Sequence, residues 1–522
     1  MQAQDGTWAS DSGSRGRWAW GFAGILPAAL EAPPAVQWLV GIVVVLATLL
    51  YWEQLRFKLA RMTRSGKLVP GPSRPTPLLG GIVEMVMDPY GFWDRQRRYA
   101  DPGISYNSLV GKFILFVTDA AKCREIMSIN DPNSMLMMLH PSAKNILGAQ
   151  NLAFMHGPEH KAIRKSFLSL FTRKALGLYV EVQDGIIRQH LAQWLARPGE
   201  REVRDDCRDM NQMTSQEVFV GPYLDDPAVK AEFSKAYRAM TDAFLAFPRL
   251  PARHGRLARA QGPHVLKQAA TRSIAHVRAG GEPRCLMDFW SQKCLEEIAE
   301  AEAAGLPPPP HTTVTRMADA MLDFLFASQD ASTASLTWVL AFMDEHRDVL
   351  ARVRAEQRAL RPDPEATITG ELLAEMSYTR QVVKEVLRTR PPAPMVPSMV
   401  YADYALTPDY VVKKGTMVVP SIVAANMQGF PEAERFDPDR FGPERKEDIV
   451  HAKNFLTFGH GPHYCVGKEY AINQLTAFLA ILCLATDWDR RRTPKSDEWV
   501  YLPTIYPADC LVTFKPLTAA AS

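Results

Sequence analysis

The most informative stretch of the sequence is FGHGPHYCVG, residues 458–467. Its glycines and proline predict a rigid loop whose backbone can approach a flat ligand closely, because glycine carries no side chain. Cys465 comes just before an apolar, helix-forming run at 471–485, so the positive end of a helix would stabilise its thiolate. A thiolate is a soft, strongly donating ligand for iron. The alternative is a turn with a buried structural cysteine, but the density of the pattern favours a metal-binding loop.

The composition is that of a globular protein. The chain has 522 residues, of which 47% are hydrophobic and 22% are charged, so it is long enough to bury a large core. Its 60 basic and 57 acidic residues nearly balance, which argues against the concentrated basic face of a nucleic-acid-binding protein. The seven cysteines are scattered and no CxxC pair occurs. We therefore expect neither a disulfide scaffold nor a structural zinc site.

An uncharged run near the N-terminus predicts a single membrane anchor. Residues 36–52 contain no charge and would form about 25 Å of helix, close to the thickness of a bilayer core. They follow a polar segment, 1–35, and precede a basic and proline-rich linker, 53–80. The excess of lysine and arginine after the run places everything beyond it in the cytosol. A buried core helix and a cleaved signal peptide are the alternatives.

The rest of the chain predicts one mainly helical domain at 81–517, followed by a short tail at 518–522. Helical patterns dominate, and the longest, at 313–346, is apolar on nearly every face. Such a helix must run through the middle of the protein. The strand-like runs are short: 112–118, 416–422 and 510–515. We therefore expect a helical body with small sheets at its edges.

Three further motifs place polar residues in unusual surroundings. Glu385 and Arg388 share one face of a helix and have apolar neighbours, so we expect a buried ion pair. Arg435, on a proline-broken stretch, could complete a triad with them. Residues 327–333, ASQDAST, form a polar island in the long apolar helix. Such an island indicates a local opening, water or a ligand, unless its hydroxyls bond back to their own helix.

In this order and spacing, the four motifs resemble those of the cytochrome P450 superfamily of haem-thiolate enzymes. The resemblance covers residues 70–517 and implies the P450 fold with a bound haem b. It implies that Cys465 is the thiolate ligand of the haem iron. It also implies that Glu385, Arg388 and Arg435 stabilise the core on the haem side without taking part in the chemistry.

The resemblance implies further roles around the cofactor. Phe458 begins the haem loop. His463 stands where the family usually has an arginine that faces a haem propionate. Arg164 matches the arginine of the family's Trp-x-x-x-Arg pattern and should bind a propionate. His160 replaces the tryptophan of that pattern, so this match is partial.

The polar island departs from the family's pattern for proton delivery. Ser328 replaces a glycine, and Ala331 replaces the threonine that usually helps to deliver protons. Asp330 remains as the acid, and Ser332 and Thr333 are possible hydroxyl substitutes. The resemblance therefore implies a water-bridged acid near bound dioxygen and leaves open which hydroxyl carries the proton.

A narrower resemblance concerns the substrate. The stretches at 326–333 and 458–467 are similar to those of the sterol C-22 desaturases of fungi, algae and plants. This implies a sterol whose side chain gains a C-22(23) double bond by two hydrogen abstractions, with O2 and NADPH-derived electrons. The candidate lining residues are Ala327, Ala331, Val396 and Pro397. A lipid or sterol hydroxylase of the same superfamily is the main alternative, and a non-catalytic haem or lipid carrier is another.

The resemblance also implies a partner and a location. The sequence contains no flavin or nicotinamide fingerprint, so electrons would come from a membrane-bound NADPH-cytochrome reductase that carries FAD and FMN. A basic face around the cysteine would bind this reductase, unless its residues are ordinary solvated surface. The candidates are Arg440, Arg445, Lys446, Lys453 and Lys468. The anchor and the proline-rich hinge match the microsomal type, which implies the endoplasmic reticulum membrane and a cytosolic catalytic domain.

Overall fold

The longest helix in the described chain, Val314–Glu345, forms the centre of the protein. The Thr313 side chain caps it by accepting a hydrogen bond from the backbone N–H of Arg316, as is typical of a threonine at this position. From Met317 onward most of its residues are buried. A helix that is apolar on nearly every face packs against neighbours all round, which confirms the prediction for 313–346.

The computed structural model describes residues 33–517, apart from short gaps at 74–75, 77, 100–102, 139–143, 145–146, 149, 246–251 and 502–503. The α-helices within these residues are α1 (Pro34–Arg61), α2 (Ile82–Met87), α3 (Pro89–Arg98), α4 (Ala120–Ser128), α5 (Gly157–Phe167), α6 (Arg173–Ala196), α7 (Val203–Phe219), α8 (Pro227–Leu245), α9 (Ala252–Arg278), α10 (Leu286–Ala303), α11 (Val314–Glu345), α12 (Arg347–Leu360), α13 (Gly370–Glu375), α14 (Ser377–Thr389), α15 (Ile422–Met427), α16 (Glu447–Val450) and α17 (Lys468–Ala485). Helices therefore dominate the described chain, and the predicted fold class is confirmed. Residues 1–32 of the predicted polar segment and the predicted tail at 518–522 lie outside the described residues.

Four small sheets complete the fold of the described residues. The strands are β1 (Ile104–Leu109), β2 (Lys112–Val117), β3 (Met135–Met137), β4 (Arg201–Glu202), β5 (Ser398–Val400), β6 (Tyr404–Thr407), β7 (Tyr410–Val412), β8 (Met417–Pro420), β9 (Thr486–Arg491), β10 (Trp499–Tyr501), β11 (Ile505–Pro507) and β12 (Leu511–Pro516). The largest sheet has the order β1-β2-β8-β5-β3, with β2 and β8 parallel and the other neighbours antiparallel. A second sheet has the order β4-β12-β9, and β6–β7 and β10–β11 form two-stranded sheets. The three predicted strand-like runs correspond to β2, β8 and β12.

The polar island of α11 lies between two hydrophobic cores. One core includes 317–325 of α11 together with residues of α5, α8, α9 and α10. The other includes 336–343 of α11 together with residues of α6, α12, α14 and α17. The island at 327–333 therefore occupies the boundary where the packing of the central helix changes.

Helix α1 is long and apolar enough to cross a membrane. None of its apolar window is buried within the protein, in contrast to a core helix. The helix continues beyond the predicted end at residue 52, so the first part of the predicted linker, 53–80, is helical. In this part Glu53 and Phe57 are buried, and the Glu53 carboxylate accepts a hydrogen bond from the Leu78 N–H at 3.0 Å. The last turns of α1 therefore pack against the body of the protein.

The described residues of the proline-rich stretch 69–80 are not helical, as predicted, because proline fixes its own backbone and lacks an N–H donor. The Pro70 carbonyl accepts a hydrogen bond from the Tyr106 N–H at 2.8 Å. The Tyr106 hydroxyl donates to the Pro72 carbonyl at 2.7 Å. The Arg61 guanidinium donates to the Val69 carbonyl at 2.8 Å. These contacts hold the linker along β1.

Candidate functional site

The loop that precedes α17 is closed by its own backbone. The Cys465 N–H donates to the Phe458 carbonyl at 2.9 Å, and the loop contains the short 3-10 turn Gly461–His463. Gly461 has a φ of +70°, and a Cβ added there would lie 2.7 Å from the carbonyl oxygen of Met127. Glycine is therefore required at this position, and the contact with α4 fixes the path of the loop.

Cys465 differs from the other cysteines in its accessibility. All seven cysteines belong to the described residues; six are buried, whereas Cys465 is exposed and lines an internal cavity. Although the sulfur faces the cavity, desolvation by the surrounding protein raises the pKa of the Cys465 thiol, while a hydrogen bond from the Gly467 backbone and the charge of Arg164 lower it. A coordinated metal ion deprotonates a thiol outright. Because Cys465 alone of the seven is accessible, at the cavity, it is the cysteine that could bind the metal of a cofactor placed there.

The cavity beside Cys465 has a volume of about 320 Å³, within the usual range for small-molecule sites. Ala327 is exposed to it although it belongs to the central helix, and its role in lining a substrate site stays a prediction. Most of the surrounding side chains are apolar, among them Leu147, Leu152, Phe167, Phe324, Phe326 and Val466. Ala331, Val396 and Pro397 are not among the described lining residues. The predominantly apolar lining suits a hydrophobic ligand.

Three histidines and an arginine meet at one end of the cavity. The rings of His160 and His463 stack with 4.4 Å between their centroids, and His463 Nε2 lies 3.4 Å from His156 Nδ1. The Arg164 guanidinium donates to the carbonyl of Tyr464. Burial, and then the neighbouring basic groups, lower the pKa of His160 to about 4 and that of His463 to about 3. Both imidazoles are therefore neutral at physiological pH.

This basic end of the cavity fits a ligand that carries carboxylates. The buried Nε2 of His160 has no hydrogen-bond partner among the described residues, and an unsatisfied buried group of this kind requires an explanation such as a ligand. Arg164 supplies a positive charge beside it. The acid groups of a haem match these donors, and the cysteine faces the same cavity. His156 was not predicted as a site residue: it lies just before α5 with extended backbone, and it meets His463 from a distant part of the chain, so no local spacing marks it.

A fully paired charge cluster lies beneath α14. The Arg388 guanidinium forms two hydrogen bonds with the Glu385 carboxylate, at 2.7 and 2.8 Å. Arg440 Nε donates to the same carboxylate at 3.0 Å, and Arg440 also pairs with Glu447 at 2.8 Å. All four side chains are buried. The buried pair that was predicted for Glu385 and Arg388 is confirmed, and the partly exposed Arg445 also pairs with Glu447, at 2.6 Å.

Arg435 is not the third member of this cluster, so that prediction was wrong. Its guanidinium is 69% exposed and pairs with Glu432, while its backbone carbonyl accepts a hydrogen bond from Arg440 at 3.1 Å. The neighbouring acidic residues mark a solvated turn, whereas Arg440 stands between Pro438 and the buried Phe441. Arg440 is also fully buried, so it cannot belong to the predicted reductase-binding face.

The polar island of α11 packs against α7. The Asn211 amide donates to the carbonyls of Ser328 at 3.1 Å and Gln329 at 2.8 Å. The Thr333 hydroxyl donates to the Gln329 carbonyl at 2.7 Å. The alternative stated for the island, in which hydroxyls bond back to their own helix, is therefore correct for Thr333. Its hydroxyl is directed at the helix backbone and not at the cavity, which argues against a role in proton delivery.

Asp330 and Ser332 are the other two candidates for proton delivery. They follow the cavity-lining residue Ala327 closely in the sequence, but neither is among the described residues that line the cavity. The Asp330 carbonyl accepts hydrogen bonds from the hydroxyls of Thr504, at 3.3 Å, and Tyr506, at 3.2 Å. Burial, and then the negative charge of Asp330, raise the pKa of Tyr506. Ser332 is buried. The roles of Asp330 and Ser332 in proton delivery stay predictions.

Comparisons with known proteins agree with this geometry. A family model described as Cytochrome P450 matches residues 70–504. Cytochrome P450 710A4 of Arabidopsis thaliana is 40% identical over 473 residues, which cover 88% of this chain and 93% of that protein. The C-22 sterol desaturase erg5 of Aspergillus fumigatus is 33% identical over 489 residues, which cover 88% of this chain and 92% of that protein.

A solved structure shares the fold. The structure described as retinoic acid bound cyanobacterial CYP120A1 superposes with a TM-score of 0.71 at 24% sequence identity. The match covers 86% of this chain and 99% of that chain. The family's haem iron is held by a cysteine thiolate, which agrees with an accessible cysteine at the cavity. The chain therefore belongs to the cytochrome P450 family and is a haem-thiolate monooxygenase.

Proposed function

We propose that this P450 is a membrane-anchored sterol C-22 desaturase. The observation that carries the proposal is the apolar cavity beside Cys465, the one accessible cysteine of the seven. An apolar cavity of this kind would accept the aliphatic side chain of a sterol. Relatives that cover most of this chain and are named C-22 sterol desaturases support the same substrate class.

Cys465 would hold the haem iron, and the basic end of the cavity would hold the haem carboxylates. When bound, the haem supplies the oxygen-activating chemistry that removes hydrogen from an unactivated carbon, and thiolate donation favours cleavage of the O–O bond. Arg164 would pair with one propionate through its permanent charge. His160, whose Nε2 is unpartnered, and His463 would bind at the same end. The closed loop keeps the sulfur directed into the cavity.

The cavity walls would place the substrate carbon and exclude water. Phe324 and Phe326 supply flat apolar surface, while Ala327 presents the smallest side chain on the α11 side and leaves room next to the helix. The desaturation balances as one CH2–CH2 unit, O2, NADPH and a proton giving one CH=CH unit, two waters and NADP+. Asp330 and Ser332 remain the proposed groups for moving the required protons.

The anchor and a basic surface would bring the enzyme to its membrane and its electron donor. Helix α1 would cross the endoplasmic reticulum membrane once, with the basic residues that follow it on the cytosolic side. A membrane-bound NADPH reductase carrying FAD and FMN would supply the electrons. Lys446 and Lys453 are exposed, and the Lys468 ammonium lies 5.9 Å from the ring centroid of Phe458 in the cysteine loop. These lysines would attract an acidic reductase surface.

Product analysis tests the proposal directly. The purified holoenzyme would be supplied with NADPH, a microsomal NADPH reductase and a sterol that has a saturated side chain. We expect a product that has lost two hydrogens and carries its new double bond between C-22 and C-23. A product that has gained one oxygen and no double bond would reject desaturation in favour of hydroxylation. NADPH oxidation without any sterol product would favour a carrier.

A further inference from the structure

A partly buried acid of α11 that the proposed chemistry does not use lies at the cavity wall. Asp323 lines the cavity one turn before Ala327. Its carboxylate accepts hydrogen bonds from the side-chain amide of Asn151 and, at 2.9 Å, from the backbone N–H of Leu152. Asn151 in turn caps a short 3-10 turn by accepting from the Ala153 N–H at 2.9 Å. One carboxylate therefore connects the central helix to the turn at 151–154.

The turn has a second attachment to the same helix. Arg316 lies two turns before Asp323 on α11, and its guanidinium reaches the Gln150 carbonyl at 3.5 Å and the Glu159 carboxylate at 2.9 Å. Arg316 thus holds the outer end of the segment, whereas Asp323 holds the end that faces the cavity. Because Asn151, Leu152 and Ala153 themselves line the cavity, the position of this turn sets the shape of one wall.

We propose that Asp323 is a positioning residue that ties the 151–154 turn to α11 and thereby fixes the wall against which a bulky ligand of the haem site packs. The proposal rests on membership of the P450 family and is independent of sterol desaturation. Small ligands, which do not reach the wall, should bind in the same way whether or not the tie is present.

The surroundings of Asp323 agree with a role as a hydrogen-bond acceptor and not as one half of an ion pair. Burial raises the pKa of Asp323 to about 8, although the hydrogen bonds from the Leu152 N–H and the Asn151 amide lower it. The Asp323 carboxyl group acts through the two hydrogen bonds that it accepts. Asparagine, which is neutral and of nearly the same shape, should preserve part of the tie, because it keeps one of the two acceptor oxygens.

Titration of the haem with a short and a long ligand distinguishes an effect on the cavity wall from general damage to the haem site. Two ligands would be titrated, imidazole and 1-dodecylimidazole, and the optical spectrum of the haem would report their binding. The proteins compared are wild type, Asp323→Ala, Asp323→Asn and the matched control Asp319→Asn. For Asp323→Ala we expect about tenfold weaker binding of 1-dodecylimidazole, since two hydrogen bonds that hold the wall are lost. Its affinity for imidazole should change by less than about twofold. Asp319→Asn should match wild type with both ligands.

The remaining outcomes are equally informative. If Asp323→Ala does not yield folded holoenzyme, Asp323→Asn carries the same comparison, with an expected loss of about threefold for the long ligand alone. Unchanged binding of 1-dodecylimidazole in the folded variants would overturn the proposal. Equal weakening of both ligands would also overturn it, because it would mean general damage to the haem site. Neither ligand is a sterol, so the result does not depend on the proposed desaturation.

Discussion

The charge cluster beneath α14 and the basic end of the cavity are both built from polar side chains in apolar surroundings, but they differ in how these are satisfied. In the cluster, the guanidiniums of Arg388 and Arg440 are matched by the carboxylates of Glu385 and Glu447. At the cavity, the buried Nε2 of His160 has no partner among the described residues. Completed pairing indicates a structural role, whereas incomplete pairing marks a site that a ligand completes.

The largest expected effect distinguishes the two arginines of the loop after α15. Arg440→Ala leaves the carboxylates of Glu385 and Glu447 buried with one partner fewer, so the free energy of unfolding should fall by about 3–5 kcal/mol. Arg435→Ala removes an exposed side chain and should change it by less than about 0.5 kcal/mol. Urea unfolding of the two variants checks this. Equal losses would mean that the cluster does not contribute what its burial implies.

A change of pH should alter the contribution of the basic end of the cavity to the free energy of unfolding and leave the contribution of the charge cluster beneath α14 unchanged. The pKa of His160 is lowered from an ordinary 6.5 to about 4 by burial and nearby cations, so the unfolded chain binds a proton more readily than the folded one. The free energy of unfolding of the haem-free protein should therefore decrease as the pH falls from about 6.5 to about 4, by about 3 kcal/mol.

Unfolding of the haem-free protein in detergent across this pH range measures the effect, with His160→Phe as the matched variant. The variant should show a shallower pH dependence, because it has no imidazole at that position. Bound haem should also reduce the slope, since a propionate favours the charged imidazole. Identical slopes for wild type and His160→Phe would show that His160 is not the group that titrates.

The smallest expected effect concerns the polar island. The Thr333 hydroxyl is engaged with the Gln329 carbonyl, so Thr333→Val should lower stability by about 1 kcal/mol and leave the coupling of NADPH oxidation to product nearly unchanged. Ser332→Ala, at the neighbouring residue, is the comparison for the coupling measurement. A collapse of coupling in Thr333→Val would place Thr333 in the proton path after all.

Features set by local spacing could be predicted from the sequence. Glu385 and Arg388 are three residues apart on one helix, and the glycines around Cys465 define a tight loop, so their arrangement follows from a few neighbouring residues. The choice between Arg435 and Arg440 could not be predicted, because it depends on which part of an irregular loop folds back beneath α14. In the structure, the Arg435 side chain is exposed and pairs with the neighbouring Glu432, so it is not part of the cluster.

Contacts between distant parts of the chain were also beyond prediction. Asn211 satisfies the polar island from α7, and Asp323 reaches the turn at 151–154 from α11. Neither residue belongs to a recognisable motif, since each acts on backbone groups more than a hundred positions away. Of the candidate lining residues, Ala327 lines the cavity, whereas Val396 and Pro397 are not among the described lining residues; where their distant segment lies relative to α11 could not be predicted from local spacing.

The most direct test of the account is the reduced carbonyl spectrum of Cys465→Ser, compared with that of Cys483→Ser. Cys483 is fully buried in α17, where its thiol donates to the Ala480 carbonyl at 3.3 Å, and a serine can make the same contact. We expect Cys483→Ser to retain the absorption band of a thiolate-ligated haem, and Cys465→Ser to lose both the band and turnover. Retention of the band and of turnover by Cys465→Ser would contradict the assignment of this sulfur as the iron ligand.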